Sequence, residues 1–122
     1  MKFRRVVITG LGAVTPIGND VPTYWDNLLN GVGGSAPITL FDSSAFKTHF
    51  ACEVKGFNPE EEFDRKELKK YDRYVQFALK ATREAIADSA LDVESIDPDR
   101  VGVVFATGAG GITSMENELE AV

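Results

Sequence analysis

The sequence predicts an α/β fold from two apolar runs that are separated by a long helical pattern. Val6 to Ile8, at the centre of a predicted strand over residues 3–9, and residues 101–106 are apolar in succession instead of alternating. Such runs are typical of strands that are covered on both faces. Between them, residues 67–90 carry apolar side chains at spacings of three and four, the period of an amphipathic helix. Strand, irregular stretch, long helix and strand, in that order, form an α/β pattern.

Short elements are predicted between the first run and the long helix. Residues 22–30 are predicted to form a short helix that ends at Gly31. Residues 38–54 are predicted to be irregular or to form short strands. Further helix starts are predicted where a capping residue is followed three residues later by a reciprocal acid. The first pair is Asn58 with Glu61, helped by a first-turn proline, and the second pair is Asp64 with Glu67.

The helical pattern over residues 67–90 is the strongest structural signal in the chain. It contains neither glycine nor proline, so we expect one uninterrupted helix. Alanines on its apolar side allow a neighbouring element to approach closely, which predicts a helix laid on a sheet. The apolar positions are Tyr71, Val75, Ala78, Leu79, Thr82, Ala85 and Ile86, and the polar positions are Arg73, Gln76, Lys80, Arg83, Glu84 and Asp88.

The first apolar run ends in a glycine turn, Gly10 and Gly12, that could be mistaken for a nucleotide-binding motif. The dinucleotide fingerprint needs a third glycine three residues after the second, at the start of a helix. That position is Thr15 here, and Pro16 disfavours helical backbone at the residue before it. The sequence therefore favours a strand that runs into an extended loop.

A second glycine cluster, Gly108, Gly110 and Gly111, follows the second apolar run. Thr113 and Glu116 have the spacing of a capping box, so the predicted order is strand, glycine loop, helix. No lysine follows Gly111 as a phosphate loop requires, and acidic residues come close behind, so phosphate binding is disfavoured. The missing Cβ atoms permit either a simple tight turn or close approach of another chain or a slender ligand.

Composition excludes several classes of function. The 122 residues hold 13 Lys and Arg against 19 Asp and Glu, a formal net charge of −6. Such a chain repels nucleic acid and anionic membrane surfaces, so neither is expected as a partner. The apolar run at residues 6–8 is too short for a signal-peptide core or a membrane span, which predicts a cytoplasmic protein. Residues 1–122 show no internal domain boundary.

Cys52 and His49 are the only cysteine and histidine, so no disulfide or metal cluster is predicted, and neither glycine motif predicts a cofactor. A reactive thiolate needs a helix N-terminus or a cation nearby, whereas Cys52 precedes Glu53 in a stretch that reads as a short strand. His49 is three residues away, which places the two side chains on opposite faces of a strand. We interpret them as a half-buried small residue and a surface imidazole, without a catalytic role.

Four stretches carry a resemblance to a known family. They are RRVVITGLGAVTPIGN, FDSSAFKTHFACEVKGFNPEE, RKELKKYDRYVQFALKATREAIADSAL and VGVVFATGAGG. In this order and spacing they resemble the N-terminal part of a β-ketoacyl-[acyl-carrier-protein] synthase, above all the type II elongating enzymes of bacterial fatty acid synthesis. The resemblance identifies the first glycine turn as the family's first strand and following loop, a structural element.

The resemblance implies a thiolase-like architecture of two layered α/β halves, incomplete in this chain, and a homodimer. Such enzymes perform a decarboxylative Claisen condensation. A cysteine holds the acyl chain as a thioester, and two histidines help to form and stabilise a carbanion from malonyl-carrier protein. All three residues would fall beyond Val122, so the chain alone is expected to be inactive.

Two candidate sites remain within the chain. Lys66, Lys69 and Lys70 share one face of a predicted helix, a pattern that by itself is typical of a solvated helix end. The resemblance implies that these lysines dock the acidic acyl carrier protein. It also implies that Ala109 and Ile112 line the inner end of the acyl tunnel, across the dimer interface. The small Ala109 predicts tolerance of long or branched acyl chains.

Two other functional classes stay open from the sequence. One is a stand-alone α/β module that binds a nucleotide or another small ligand. The other is the non-condensing partner subunit of a polyketide synthase pair, which would keep this N-terminal pattern without the nucleophile.

Overall fold

The computed structural model of the protein describes residues 3–120. Its helices are α1 (Val21–Leu29), α2 (Arg65–Lys70), α3 (Arg73–Asp88) and α4 (Ile112–Glu120), and its strands are β1 (Ala36–Pro37) and β2 (Phe50–Ala51). Short 3₁₀ helices lie at Pro59–Glu61 and Pro98–Arg100. In the described part of the chain, no helix combines the length and the apolar character needed to cross a membrane.

The two predicted strands, residues 3–9 and 101–106, have no sheet partner within residues 3–120. Their side chains are exposed, with 88% of Val6 and 95% of Val104 accessible to solvent. A strand is defined by hydrogen bonds to a neighbouring strand, and neither run makes them in the described chain. The prediction of strands is therefore wrong for this segment on its own, and the cover that these apolar runs need is missing from residues 3–120.

α1 forms where the sequence predicted a short helix. Asp20 caps it by accepting a hydrogen bond from the backbone N–H of Thr23 at 2.7 Å. Pro22 suits the first turn because its ring fixes a helical φ. The backbone and side-chain hydrogen bonds from Thr23 lower the pKa of Asp20 below its ordinary 3.8. Beyond the end of the helix, Gly31 has a φ of +68°, which confirms the predicted stop.

β1 and β2 pair antiparallel, with Ala36 opposite Ala51, which confirms the short-stranded character of this region. The Glu53 side chain forms hydrogen bonds with the start of the loop that connects β1 to β2. Its carboxylate accepts from the N–H and the hydroxyl of Thr39 at 3.0 and 2.6 Å, and from the N–H of Leu40 at 3.3 Å. The side-chain hydrogen bond from Thr39 is the main cause of a lowered pKa at Glu53.

Both predicted start signals before α2 form their hydrogen bonds. Asp64 accepts from backbone N–H groups that include that of Glu67, and the Glu67 side chain accepts from the N–H of Asp64, which is a complete capping box. Asn58 caps the 3₁₀ helix Pro59–Glu61, and its amide donates to Glu61 at 2.9 Å. The first signal therefore begins a 3₁₀ turn, and the second begins an α-helix.

The single long helix predicted over residues 67–90 is wrong, because the structure has two helices there. Tyr71 adopts an extended backbone, with φ −104° and ψ 118°, and separates α2 from α3. Its carbonyl accepts from the Nε2 of Gln76 at 2.8 Å, so Gln76 is buried although it was predicted to be on the polar face. Asp72 stands at the cap position of α3. Its side chain makes no hydrogen bond to the helix, so the Gln76 amide, which satisfies the freed Tyr71 carbonyl, accounts for a break without glycine or proline.

The small core lies between α3 and the segment before α2. Phe63 is the buried hydrophobic residue of the described chain, at 6% exposure. Its ring packs edge-on against Tyr71, with 6.2 Å between centroids, and the Arg83 guanidinium lies 4.9 Å from the Phe63 ring. Lys80 and Arg83 also pair with Glu62. The segment before α2 is thus bound to α3 by charged side chains of the helix as well as by aromatic contacts.

Candidate functional site

The first glycine loop is already occupied by carboxylates of the protein itself. The N–H of Leu11 donates to Asp88 at 2.8 Å, and the N–H of Ala13 donates to Glu84 at 2.9 Å. The other oxygen of Glu84 accepts from the N–H of Val21 at 2.7 Å. A phosphate site depends on free backbone N–H groups that point at the anion. Since these groups are satisfied internally, the geometry argues against a nucleotide site at this turn.

The glycines of this loop serve close packing on α3. A Cβ on Gly12 would lie 1.8 Å from the carbonyl oxygen of Ala81, and a Cβ on Gly10 would lie 2.1 Å from that of Ala85. The loop is therefore a structural element seated on the alanine side of α3. Glu84 and Asp88 were predicted on the solvent side of the helix, and the structure corrects this, because both side chains face the loop.

The second glycine loop leads directly into α4. Gly111 has a φ of +76°, a left-handed conformation that favours glycine. Its carbonyl accepts from the N–H of Met115 at 3.0 Å, so Gly111 is the residue from which the helix starts. Thr113 lies inside the first turn. The helix start predicted from a capping box of Thr113 and Glu116 was therefore misplaced.

Residues of both predicted sites border one groove. A cavity of about 660 Å³ lies between the end of α2 and the second glycine loop. Lys69 and Lys70 border it on one side, and Ala109 and Ile112 border it on the other. Lys66, at the start of α2, does not contribute to the lining. The site is an open surface groove and not an enclosed cavity.

The electrostatics of the α2 face suit an acidic partner. The three lysines are exposed, and within residues 3–120 the ion pairs join Lys80 and Arg83 to Glu62 and leave the α2 lysines unpaired. The Lys70 ammonium lies 5.6 Å from the centroid of the Tyr71 ring, a cation–π contact at the edge of the groove. Cations in the last turn of a helix are also stabilised by its dipole.

Sequence reasoning missed several residues that line the groove. Leu40 reaches it from the loop after β1, and Asp72 and Tyr74 reach it from the junction of α2 and α3. The loop rests on one of them, since a Cβ on Gly110 would lie 2.8 Å from the Tyr74 ring. The available signal for Asp72 was its capping residue type within a predicted helix. Nothing in the sequence pointed to Leu40, whose place depends on tertiary packing.

No hydrogen bond joins Cys52 to His49 in the described part of the chain. Cys52 is exposed instead of half-buried as expected, and the carboxylate of the next residue, Glu53, is engaged by Thr39 and Leu40. The Nδ1 of His49 lies 3.4 Å from the hydroxyl of Ser43. In the part of the chain that the structure describes, no group of three or more His, Cys, Asp or Glu side chains could hold a metal ion.

The chain is similar to β-ketoacyl synthases over nearly its whole length. Residues 3–121 match the family model described as β-ketoacyl synthase, N-terminal domain. The chain is 47% identical over 113 residues to 3-oxoacyl-[acyl-carrier-protein] synthase 2 of Staphylococcus aureus (strain COL). This alignment covers 93% of this chain and 27% of that protein. The protein of the same name from Coxiella burnetii (strain RSA 493 / Nine Mile phase I) is 45% identical over 122 residues, or 100% of this chain and 30% of that protein.

A solved structure supports the same relationship at the level of the fold. The ishigamide ketosynthase/chain length factor superposes with a TM-score of 0.72 and 35% identity, over 97% of this chain and 30% of that chain. This likeness confirms the predicted fold class, the N-terminal part of a thiolase-like α/β fold. The chain spans about 30% or less of the length of these relatives.

Proposed function

The chain belongs to the β-ketoacyl synthase family through its match to the family's N-terminal domain, and we propose that it is the N-terminal segment of a 3-oxoacyl-[acyl-carrier-protein] synthase. The observation that carries the proposal is the 47% identity, over 93% of this chain, to a protein named for that activity. Residues 1–122 are then one segment of a single synthase domain, in a cytoplasmic homodimer that works without a cofactor.

The proposed reaction elongates a fatty acyl chain in two steps. A cysteine thiolate attacks the acyl thioester and releases the thiol of the first carrier protein. Loss of CO₂ from malonyl-carrier protein then leaves a carbanion, which attacks the acyl-enzyme carbonyl, forms the new carbon–carbon bond and expels the thiolate. Two histidines stabilise the developing charge. We assign these three residues to the complete protein beyond Val122, an assignment supported by the match of this chain to 27% of the Staphylococcus aureus synthase.

In this proposal the present segment supplies a docking surface and part of the acyl pocket. Lys66, Lys69 and Lys70 receive the acidic carrier protein, and complementary charge speeds and orients the encounter more than it deepens affinity. Ala109 and Ile112 line the end of the acyl tunnel, reached across the dimer interface. The supporting observation is proximity, since lysines of α2 and both acyl-pocket residues border the same cavity of about 660 Å³.

A second candidate function is the non-condensing partner subunit of a polyketide synthase pair. It is favoured by one observation, the likeness to a solved protein whose name joins a ketosynthase with a chain length factor. Identity to that structure is 35%, against 47% to the synthase of fatty acid type. The elongating synthase is therefore the better supported of the two.

A condensation assay of the complete protein separates these candidates. The protein is supplied with acyl-carrier protein and malonyl-carrier protein, and CO₂ and 3-oxoacyl product are both quantified. A synthase releases equal amounts of the two and loses activity when its nucleophilic cysteine is alkylated. The Cys52→Ala variant is the control and should keep both activity and sensitivity to alkylation. Product formation that requires a different second subunit would favour the polyketide partner, and nucleotide binding without condensation would favour a binding module.

A further inference from the structure

Asp72 occupies the junction between the proposed docking helix and the acyl-lining loop. Only Tyr71 separates it from the last residue of α2, and it stands at the cap position of α3. A capping aspartate normally accepts a hydrogen bond from the first N–H groups of its own helix. Asp72 makes no such side-chain bond. Its carboxylate instead accepts a hydrogen bond from the hydroxyl of Ser114, which is 42 residues later in the sequence, in α4.

The glycine loop also approaches this junction more closely than other residues could. A Cβ on Gly111 would lie 2.8 Å from the Oδ2 of Asp72, and a Cβ on Gly110 would lie 2.8 Å from the Tyr74 ring. Gly111 takes its left-handed φ of +76° at this contact, so the chain turns into α4 against the carboxylate. Asp72 and Tyr74 thus form the wall on which the loop rests.

Through these contacts, the end of α2 on one side of the groove is linked to the glycine loop on the other side. Lys69 and Lys70 directly precede the junction, and Ala109 and Ile112 flank the two glycines that rest on it. A displacement of the end of α2 moves Asp72. Asp72 accepts the Ser114 hydrogen bond and lies against Gly111, so such a displacement would reach the acyl-lining residues through these two contacts.

We infer that Asp72 is a positioning residue that couples the lysine face of α2 to the acyl-lining loop, so that a carrier protein docked on Lys69 and Lys70 fixes the places of Ala109 and Ile112. The inference rests on the proposed function. Asp72 acts through Ser114 and the loop, and it has no chemical role of its own in the condensation.

The acyl-length preference of the complete protein tests this coupling. Asp72→Ala removes both contacts, and Ser114→Ala removes the hydrogen bond alone. Each should change the ratio of kcat/KM for long against short acyl-carrier substrates by roughly 2- to 25-fold. The double variant should differ no further from wild type than Asp72→Ala does, because the two residues share one bond. Asp72→Asn keeps an oxygen acceptor for Ser114 and should restore the wild-type ratio.

Asp64→Ala is the matched control, since it removes the cap at the other end of α2 and leaves the loop contacts alone. Its ratio of kcat/KM for long against short acyl-carrier substrates should stay at the wild-type value even if α2 is less stable. The inference is overturned if Ser114→Ala keeps the wild-type ratio, if the two substitutions act additively, or if Asp64→Ala shifts the ratio as much as Asp72→Ala. A wild-type protein without condensing activity would overturn the proposed function itself, and the inference with it.

Discussion

Replacement of Gly12 by alanine should force the first loop away from α3. The added Cβ would lie 1.8 Å from the carbonyl oxygen of Ala81, whereas ordinary contact begins at 3.4 Å, so the loop must retreat by about 1.6 Å. The obstacle is helix backbone, which cannot rotate away as a side chain can. The strain therefore falls on the loop and on the hydrogen bonds that hold it.

The size of the effect follows from those contacts. The bond from the N–H of Ala13 to Glu84 is 2.9 Å long and does not survive such a displacement. A hydrogen bond to a charged group contributes about 1.5–3 kcal/mol, and overpacking costs about 1–3 kcal/mol. Together these terms lower the free energy of unfolding by about 2.5–6 kcal/mol, a large part of the stability of a typical domain.

Denaturant unfolding of the complete protein measures this difference. Gly33→Ala is the matched control, because a Cβ at that glycine would meet nothing within 4 Å. The control should stay within about 1 kcal/mol of wild type. If Gly12→Ala unfolded at the same denaturant concentration as Gly33→Ala, the close seating of the loop on α3 would be refuted.

Three further predictions concern the acyl pocket, the apolar runs and the cap of α1. Ala109→Phe adds bulk at the proposed inner end of the acyl tunnel, so the complete protein should make shorter products by mass spectrometry; an unchanged length profile would remove Ala109 from the pocket. The isolated chain exposes 88% of Val6 and 95% of Val104, and it should self-associate and bind a hydrophobic dye; a sharp melt from a clean monomer would contradict this. The lowered pKa of Asp20 means that its stabilising effect is complete above the unfolded-state value near 3.8 and is lost as the pH falls through the lower folded-state value. Asp20→Asn keeps a cap and should reduce the loss of stability in acid, as measured by unfolding midpoints against pH.

The parts of the fold that the sequence predicted well depend on contacts between near neighbours. The capping box of Asp64 and Glu67 spans three residues, and the stop at Gly31 depends on that residue's own φ. The break at Tyr71 was missed because it depends on Gln76, which turns inward to bind the freed carbonyl. Helical periodicity assigns side chains to faces, but it does not reveal which polar side chain finds a partner in another element.

In the candidate site too, contacts between distant parts of the chain could not be predicted from local sequence patterns. The resemblance pointed separately to the lysines of α2 and to the glycine loop, but their meeting in one groove depends on contacts between distant parts of the chain. Asp72 carries a recognisable capping residue type, yet its bond to Ser114 is fixed by tertiary structure. Likewise, residues 3–9 and 101–106 have the composition of covered strands, but no local pattern reveals whether a neighbouring strand is available, and none pairs with them within residues 3–120.

The docking role of α2 is tested most directly by the KM of the complete protein for an acyl-carrier substrate after Lys66, Lys69 and Lys70 are all changed to glutamate. The same acyl chain on free pantetheine is the control substrate. KM for the carrier-bound substrate should rise on the order of tenfold at low salt and less at high salt, because ions screen surface charges. KM for the free thioester should not change. A carrier KM equal to that of wild type at low salt would contradict an acidic carrier protein docked on this helix.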